Sequence, residues 1–194
     1  ISDRAHRMVA EQAEAIEAVL SQLAYAGLRV TRQEDWTPEQ RTYLRSHFNR
    51  EVLPVLTPLA LEELDPCPVL PGLQLNVGLI IRAGEGEAVE DKIVVVPVPR
   101  QFARFVTMPA ERSVHLARLE DIIIANAGAL LPGAQVRAAA VFRITRDADV
   151  AIQEDEAGDL LQAVSEAVTS RRRRACVRLE ISGKPDPRLR RWLV

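Results

Sequence analysis

Arg143, Arg146 and Arg178 are the side chains best placed by type and spacing to do chemistry, and that chemistry is recognition of a polyanion. A guanidinium is always charged and presents a planar fork of N–H donors that matches phosphate oxygens in pairs. Arg143 and Thr145 alternate with Phe142 and Ile144, so in a strand they share the face opposite the apolar one. That face either meets a polyanion, with Arg146 at the strand end, or is a solvated sheet face whose arginines pair with Asp147 or Asp149. Arg178 alternates with apolar residues and either lines the same face or pairs with the neighbouring strand. The run Arg171 to Arg174 reads as exposed charge that complements a helix C-terminus.

Other chemistries find less support. A histidine that relays a phosphoryl group needs an accessible imidazole ringed by cations. His6 and His47 fall on expected helices and His115 in a short strand, and each reads as a surface or packing residue. No GxxxxGK[ST] loop occurs, and Gly84-Glu85-Gly86 lacks both the lysine and the following helix. Asp147 and Asp149 could hold magnesium, but a turn that caps the next segment is the expected role, so no metal site is assigned. Cys67 and Cys176 are too far apart for a CxxC zinc site and are expected to be two buried thiols.

The totals narrow the class. At 194 residues the chain can hold one full domain plus an appendage, and 47% hydrophobic residues imply a packed core. A net charge of −2 argues against a general nucleic-acid binder, so no DNA partner is expected. No apolar run approaches the roughly 20 residues that span a bilayer, and no signal-peptide pattern is present, so a cytoplasmic location is expected. Lys92 and Lys184 are the only lysines, which reads as the codon bias of a GC-rich genome. The chain starts at Ile1 rather than methionine, as either a trimmed fragment or a processed chain would.

These side chains need a frame. Val9, Ile16, Leu20 and Leu23 mark a helix over 3–26, with Gly27 as its left-handed stop. Thr37-Pro38-Glu39-Gln40 is a capping box, and Leu44, Phe48 and Val52 form the stripe of a helix over 38–53 that Pro54 ends or bends. Pro58, Pro66, Pro68 and Pro71 favour an extended link over 54–72. Leu73, Leu75, Val77, Leu79 and Ile81 then alternate as a half-buried strand, and Gly84 and Gly86 mark a turn. Ile93 to Val98 is the return strand, apolar on both faces, with Pro97 at an edge or bulge. Short strands are expected at Phe105–Thr107 and Val114–Leu116, and a third helix from Leu119 to Leu130, stopped by Pro132-Gly133. Val136, Ala138, Ala140, Phe142 and Ile144 point inward from the next strand. A fourth helix is expected over 153–170, a last strand at Val177–Ile181, and a short helix after Asp186-Pro187. The class is α+β: N-terminal helices followed by a mainly antiparallel sheet packed with helices.

Four segments, in order, resemble the large polyphosphate kinases that work through a phosphohistidine. They are Phe48 to Ala60, with its Pro54-Val55-Leu56-Thr57-Pro58-Leu59-Ala60 string; Asp65 to Val77; Val141 to Asp149 with Glu154-Asp155-Glu156; and Arg171 to Arg174 leading into Val177-Arg178-Leu179-Glu180. The departures are Asp65 where the family has histidine, Cys67 where it has phenylalanine, and Gly72 and Gln74 where it has asparagine and serine.

The resemblance implies a transferase of four parts: a helical N-terminal domain, a head domain, and two C-terminal domains related to phospholipase D that carry the nucleophilic histidine and most ATP ligands. None of His6, His47 and His115 has a lysine two residues on, so the His-x-Lys pattern of the phospholipase D relatives is absent. On this reading 1–27 is the last helix of the N-terminal domain and 28–194 is the head, its α+β block spanning 73–194. No catalytic residue is then expected in this chain, and Arg143, Arg146 and Arg178 are the expected polyphosphate contacts. ATP and magnesium belong to the full-length enzyme, reached through domains outside this chain, and none is expected bound here. The partners implied are polyphosphate and a second copy in a homodimer. The alternative is a stand-alone polyanion-binding module.

Overall fold

The computed structural model describes residues 2–60, 69–83, 90–147, 176–183 and 185–193. Its contacts divide the chain into two units, Ile1–Pro54 with Arg100–Asn126, and Val55–Pro99 with Ala127–Val194. The expected 84–86 turn, the helix over 153–170, Asp65, Cys67, Asp149 and the run 171–174 lie outside the described residues.

In the first unit, helix α1 (Ser2–Tyr25) ends at Gly27, whose φ of +89° only glycine adopts without strain. None of its residues is buried. Strand β1 (Leu28–Val30) runs parallel to β5 (Val114–Arg118), and β5 pairs antiparallel with β4 (Phe105–Met108). Helix α2 (Pro38–His47) starts as expected: Gln40 N–H donates to Thr37 Oγ1 at 3.2 Å, and Thr37 N–H donates back to Gln40 Oε1 at 3.1 Å. Leu44, Phe48 and Val52 are fully buried. The expected helix over 38–53 is not uniform, because Phe48–Val52 widen into a π-helical turn and Leu53–Val55 tighten into a 3-10 turn. Pro54 brings no N–H to the ladder, so the last turns cannot keep α-helical pairing.

The third helix is also divided. Helix α3 (Leu119–Ala125) stops at Asn126 (φ −114°, ψ 14°), whose side-chain Nδ2 donates to the Ile122 carbonyl at 2.8 Å. Helix α4 (Ala127–Leu130) continues in the second unit, so the break falls where the chain leaves one unit for the other. Within the first unit, Glu120 is buried and accepts from Arg104 Nη2 at 2.6 Å and Nε at 3.1 Å, which satisfies a charge that would be costly alone.

The second unit holds an antiparallel sheet in the order β3-β2-β6-β7: β2 (Leu75–Ala83), β3 (Glu90–Pro97), β6 (Gln135–Arg146) and β7 (Cys176–Ile181). Leu59 of the proline-rich link bridges Val95, so the link extends the β3 edge instead of only running past it. Strand β2 is not half-buried as its alternation implied. Val77 and Leu79 are fully buried on one face, and Asn76 and Ile80 on the other. It is central in the sheet, and a central strand needs cover on both sides. A bulge at Arg137 sets Ile81 opposite Val136 and Ile80 opposite Ala138, so Val136 falls out of phase with the inward series.

Val95, Phe142 and Ile144 form a core cluster with Leu179, Ile181, Trp192 and Leu193. Helix α5 (Pro187–Leu193) closes it, as Asp186 Oδ1 accepts from Arg188 N–H at 2.8 Å to start the helix and Leu189 is fully buried. Leu189 fits because Gly78 lies beneath it: a Cβ there would come within 3.2 Å of Leu189 Cδ1 and 3.4 Å of Phe142 Cε1. Cys176 corrects an expectation, since its thiol is exposed at the start of the edge strand β7. Helices with mainly antiparallel sheets make the chain α+β, as read from the sequence.

Candidate functional site

The β6–β7 register assembles the arginine face. Arg143 stands opposite Glu180 and Thr145 opposite Arg178. Their sheet neighbours Phe142, Ile144, Leu179 and Ile181 turn into the core, so these four polar side chains share the other face. Arg143 Nε donates to Glu180 Oε2 at 2.7 Å, and Arg178 Nη2 donates to Glu180 Oε1 at 2.9 Å. One carboxylate therefore holds two guanidiniums, and the cluster keeps a net positive charge. The hydrogen bond from Arg143 holds the Glu180 carboxyl below its ordinary range against the opposing effect of burial, and the same bond raises Arg143.

The sequence pointed to Asp147 or Asp149 as the partner of these arginines; Asp149 lies outside the described residues, and the carboxylate bonded to Arg143 and Arg178 is Glu180. A usable signal was present in Arg178-Leu179-Glu180, whose period of two puts both charges on one face of a strand. What the signal lacked was the register that sets Glu180 beside Arg143. The bulge between Thr145 and Arg146 leaves Val177 without a partner residue on β6. Arg146 Nε donates to the Leu70 carbonyl at 3.1 Å and secures the end of the proline-rich link.

The histidines belong to the first unit, and the arginine face to the second. His115 Nδ1 lies 3.1 Å from Gln40 Nε2, which also donates to the Pro109 carbonyl at 3.0 Å. Because Gln40 Oε1 already accepts from Thr37, its amide nitrogen must be the group that faces His115. His115 Nδ1 is thus an acceptor and the ring proton resides on Nε2. His47 Nδ1 lies 3.3 Å from Glu51 Oε1 one turn on, and His6 is exposed on α1. Among the described residues, no group of three or more His, Cys, Asp or Glu is arranged to hold a metal ion, and no helix is long and apolar enough to cross a membrane.

Comparison with known proteins gives a consistent match. The family model described as the polyphosphate kinase middle domain matches residues 39–194. The polyphosphate kinase of Thermosynechococcus vestitus is 40% identical over 178 residues, covering 89% of this chain and 24% of that protein. That of Synechocystis sp. is 34% identical over 201 residues, covering 98% of this chain and 27% of its own length. That of Halalkalibacterium halodurans is 32% identical, covering 100% and 28%. The crystal structure of polyphosphate kinase from Porphyromonas gingivalis superposes with a TM-score of 0.62 at 22% identity, over 72% of this chain and 24% of that one, a likeness of fold. The chain thus spans about a quarter of the length of these relatives.

Proposed function

Because this chain belongs to the polyphosphate kinase family and carries its middle domain, we propose that it is the head-domain portion of an ATP:polyphosphate phosphotransferase and does no phosphoryl chemistry itself. In the complete protein, the ATP terminal phosphate passes to polyphosphate through a phosphohistidine on domains outside this chain. This portion supplies scaffold, part of the polyphosphate path and a dimerisation surface. The observation that carries the reading is the family match over 39–194 together with relatives about four times longer. The side chains agree with it: His115 Nδ1 faces the Gln40 amide and His47 Nδ1 faces the Glu51 carboxylate. The Arg143–Arg178 face is the polyphosphate contact in this reading. Residues 1–27 act as the last helix of the preceding helical domain, which agrees with a stripe at Val9, Ile16 and Leu23 that this chain leaves exposed.

The test is turnover. The complete gene product with ATP and magnesium should form acid-insoluble polyphosphate, and the 194-residue chain should form none. Comparable turnover by the purified 194-residue chain would overturn the reading. Sedimentation of the complete protein should give a dimer; monomer alone at high micromolar concentration removes the dimerisation role. The second reading, a stand-alone polyanion binder, draws on the same arginine face. It requires binding that weakens steeply with salt in the isolated chain.

A further inference from the structure

We propose that Leu73 is a positioning residue for the arginine face, acting through its backbone and not through its side chain. Its left-handed conformation seats the end of the proline-rich link on β6 and thereby holds Arg143 against Glu180. The consequence for anion binding rests on the polyanion role proposed for that face; the geometric claim does not. Every residue involved belongs to the second unit.

Leu73 has a φ of +62°, and among the described residues no other non-glycine residue has a positive φ. An L side chain there crowds the backbone carbonyl, so the conformation is costly for leucine. Burial of the side chain does not offset that cost: Leu73 heads the apolar alternation that runs into β2, yet it is 63% exposed. The offset comes from the contacts of the turn with β6. Leu73 N–H donates to the Ile144 carbonyl at 2.8 Å, and Arg146 Nε donates to the Leu70 carbonyl at 3.1 Å. Leu70 also packs on the cluster of Val95, Phe142 and Ile144. At Gly72 a Cβ would stand 3.8 Å from the Arg146 amide nitrogen, so the turn lies against β6. An extended or right-handed backbone at Leu73 would swing the link away and could not keep both bonds.

These bonds brace the segment that carries the arginines. Leu75 stands opposite Arg143 on the β2 edge of β6, and Glu180 stands opposite it on the β7 edge. On the β7 side the ladder is interrupted by the bulge between Thr145 and Arg146, and a bulge disrupts pairing and bends the strand. On the other side, Leu73 holds Ile144 and Leu70 holds Arg146, the two residues that flank Thr145. The turn therefore supports β6 where its pairing with β7 is weakest. Releasing the turn lets residues 144–146 shift, and Arg143 moves with them from Glu180 Oε2, which its Nε meets at 2.7 Å.

The test compares substitutions at position 73 in the 194-residue chain, each measured well below its melting temperature. Leu73→Gly and Leu73→Asn accept the left-handed backbone, and Leu73→Ala removes the side chain but keeps an ordinary L residue. Leu73→Val stays apolar, but its β-branch opposes the conformation. Hydrogen exchange of the Arg143 Nε–H, slowed by its bond to Glu180, reads the position of the guanidinium. Exchange should stay within about twofold of wild type in Leu73→Ala, be no faster in Leu73→Gly and Leu73→Asn, and be about fivefold or more faster in Leu73→Val. Filter binding of long-chain polyphosphate should follow the same order, with Leu73→Val about fivefold or more weaker. A wild-type exchange rate in Leu73→Val overturns the proposal. Fast exchange in Leu73→Ala also overturns it, because the role would then belong to the side chain. If Leu73→Val does not fold, Arg146→Met removes the bond to Leu70 and should give the same acceleration; a wild-type rate there overturns the proposal. Polyphosphate affinity that ignores Arg143→Gln with Arg178→Gln would remove the anion role of the face, and the exchange rates would still decide the role of Leu73.

Discussion

Arg143 and Glu180 sit directly opposite each other on β6 and β7, joined Nε to Oε2 at 2.7 Å, and the same carboxylate takes Arg178 on its other oxygen. The relationship makes Glu180 a competitor for any anion that approaches this face. A phosphate must compete with a carboxylate that already neutralises part of the charge, so weak monoanions gain little, whereas a polyanion that reaches the remaining N–H donors of both guanidiniums gains more.

Replacing Glu180 by glutamine removes the competitor and retains the shape. Polyphosphate affinity of the isolated chain should rise by about tenfold at low salt, with a steeper salt dependence, because two guanidiniums are released. Stability should fall by no more than about 1 kcal/mol, since the pair is partly exposed. Filter binding across a salt series reads the first effect and urea titration the second. Affinity that stays flat or drops in Glu180→Gln would remove this face from the polyanion path.

Two carboxylates should respond to pH with opposite signs. Glu180 is held below its ordinary value of 4.5, chiefly by the Arg143 hydrogen bond. Its stabilising contribution is complete above that value and disappears as pH falls through the lower folded one. Asp121 is raised above its ordinary 3.8 because burial outweighs the Arg118 hydrogen bond at 2.8 Å. It therefore costs stability above its folded value, and the cost is gone below 3.8. Asp121→Asn should be as stable as wild type or more so at pH 7, and should lose that advantage as pH drops toward 3.8. Glu180→Gln should be less stable than wild type at pH 7, and the two should converge in acid. Thermal melts from pH 7 to pH 3 decide both, and a loss of stability in Asp121→Asn at neutral pH would reverse the assigned balance.

Features that depend on local chemistry could be read from the sequence, and features that depend on register could not. The capping box at Thr37 and Gln40, the Gly27 stop and the Asp186 start each involve residues within four positions of one another, and each forms as expected. The outward placement of Arg143 followed from simple alternation. Its bond to Glu180 spans 37 positions and needed the β6–β7 register. The parallel pairing of β1 with β5 joins residues even further apart in sequence. The break at Asn126 shows a different limit: helical spacing runs unbroken from Leu119 to Leu130, yet α3 stops at Asn126, where the chain passes from one unit to the next.

Gly78 and Leu189 should behave as one unit. The strand offers no room for a side chain beneath α5, since even a Cβ meets Leu189 Cδ1 at 3.2 Å. Gly78→Val should destabilise the chain by about 2 kcal/mol through overpacking. Leu189→Ala alone should cost about 3 kcal/mol as a buried truncation. Combined, the two should cost clearly less than their sum, with a coupling of about 1 kcal/mol or more. Denaturant titration of the four proteins measures it, and strict additivity would mean that α5 does not seat on this glycine.

Gln40 makes three demands on one buried amide: it caps α2, satisfies the Pro109 carbonyl and faces His115 Nδ1. Leucine at this position fills the volume but leaves the Thr37 N–H and the Pro109 carbonyl without their side-chain partner, which should cost about 2–4 kcal/mol. Glutamate is the sharper variant. It keeps the cap oxygen, but the atom facing His115 becomes an acceptor, so the ring must bring a proton to Nδ1. Nitrogen-15 spectra of the imidazole should therefore show the Nε2–H tautomer in the wild type, with Nδ1 gaining a proton in Gln40→Glu. A wild-type ring protonated on Nδ1 would contradict the amide orientation on which the capping network depends.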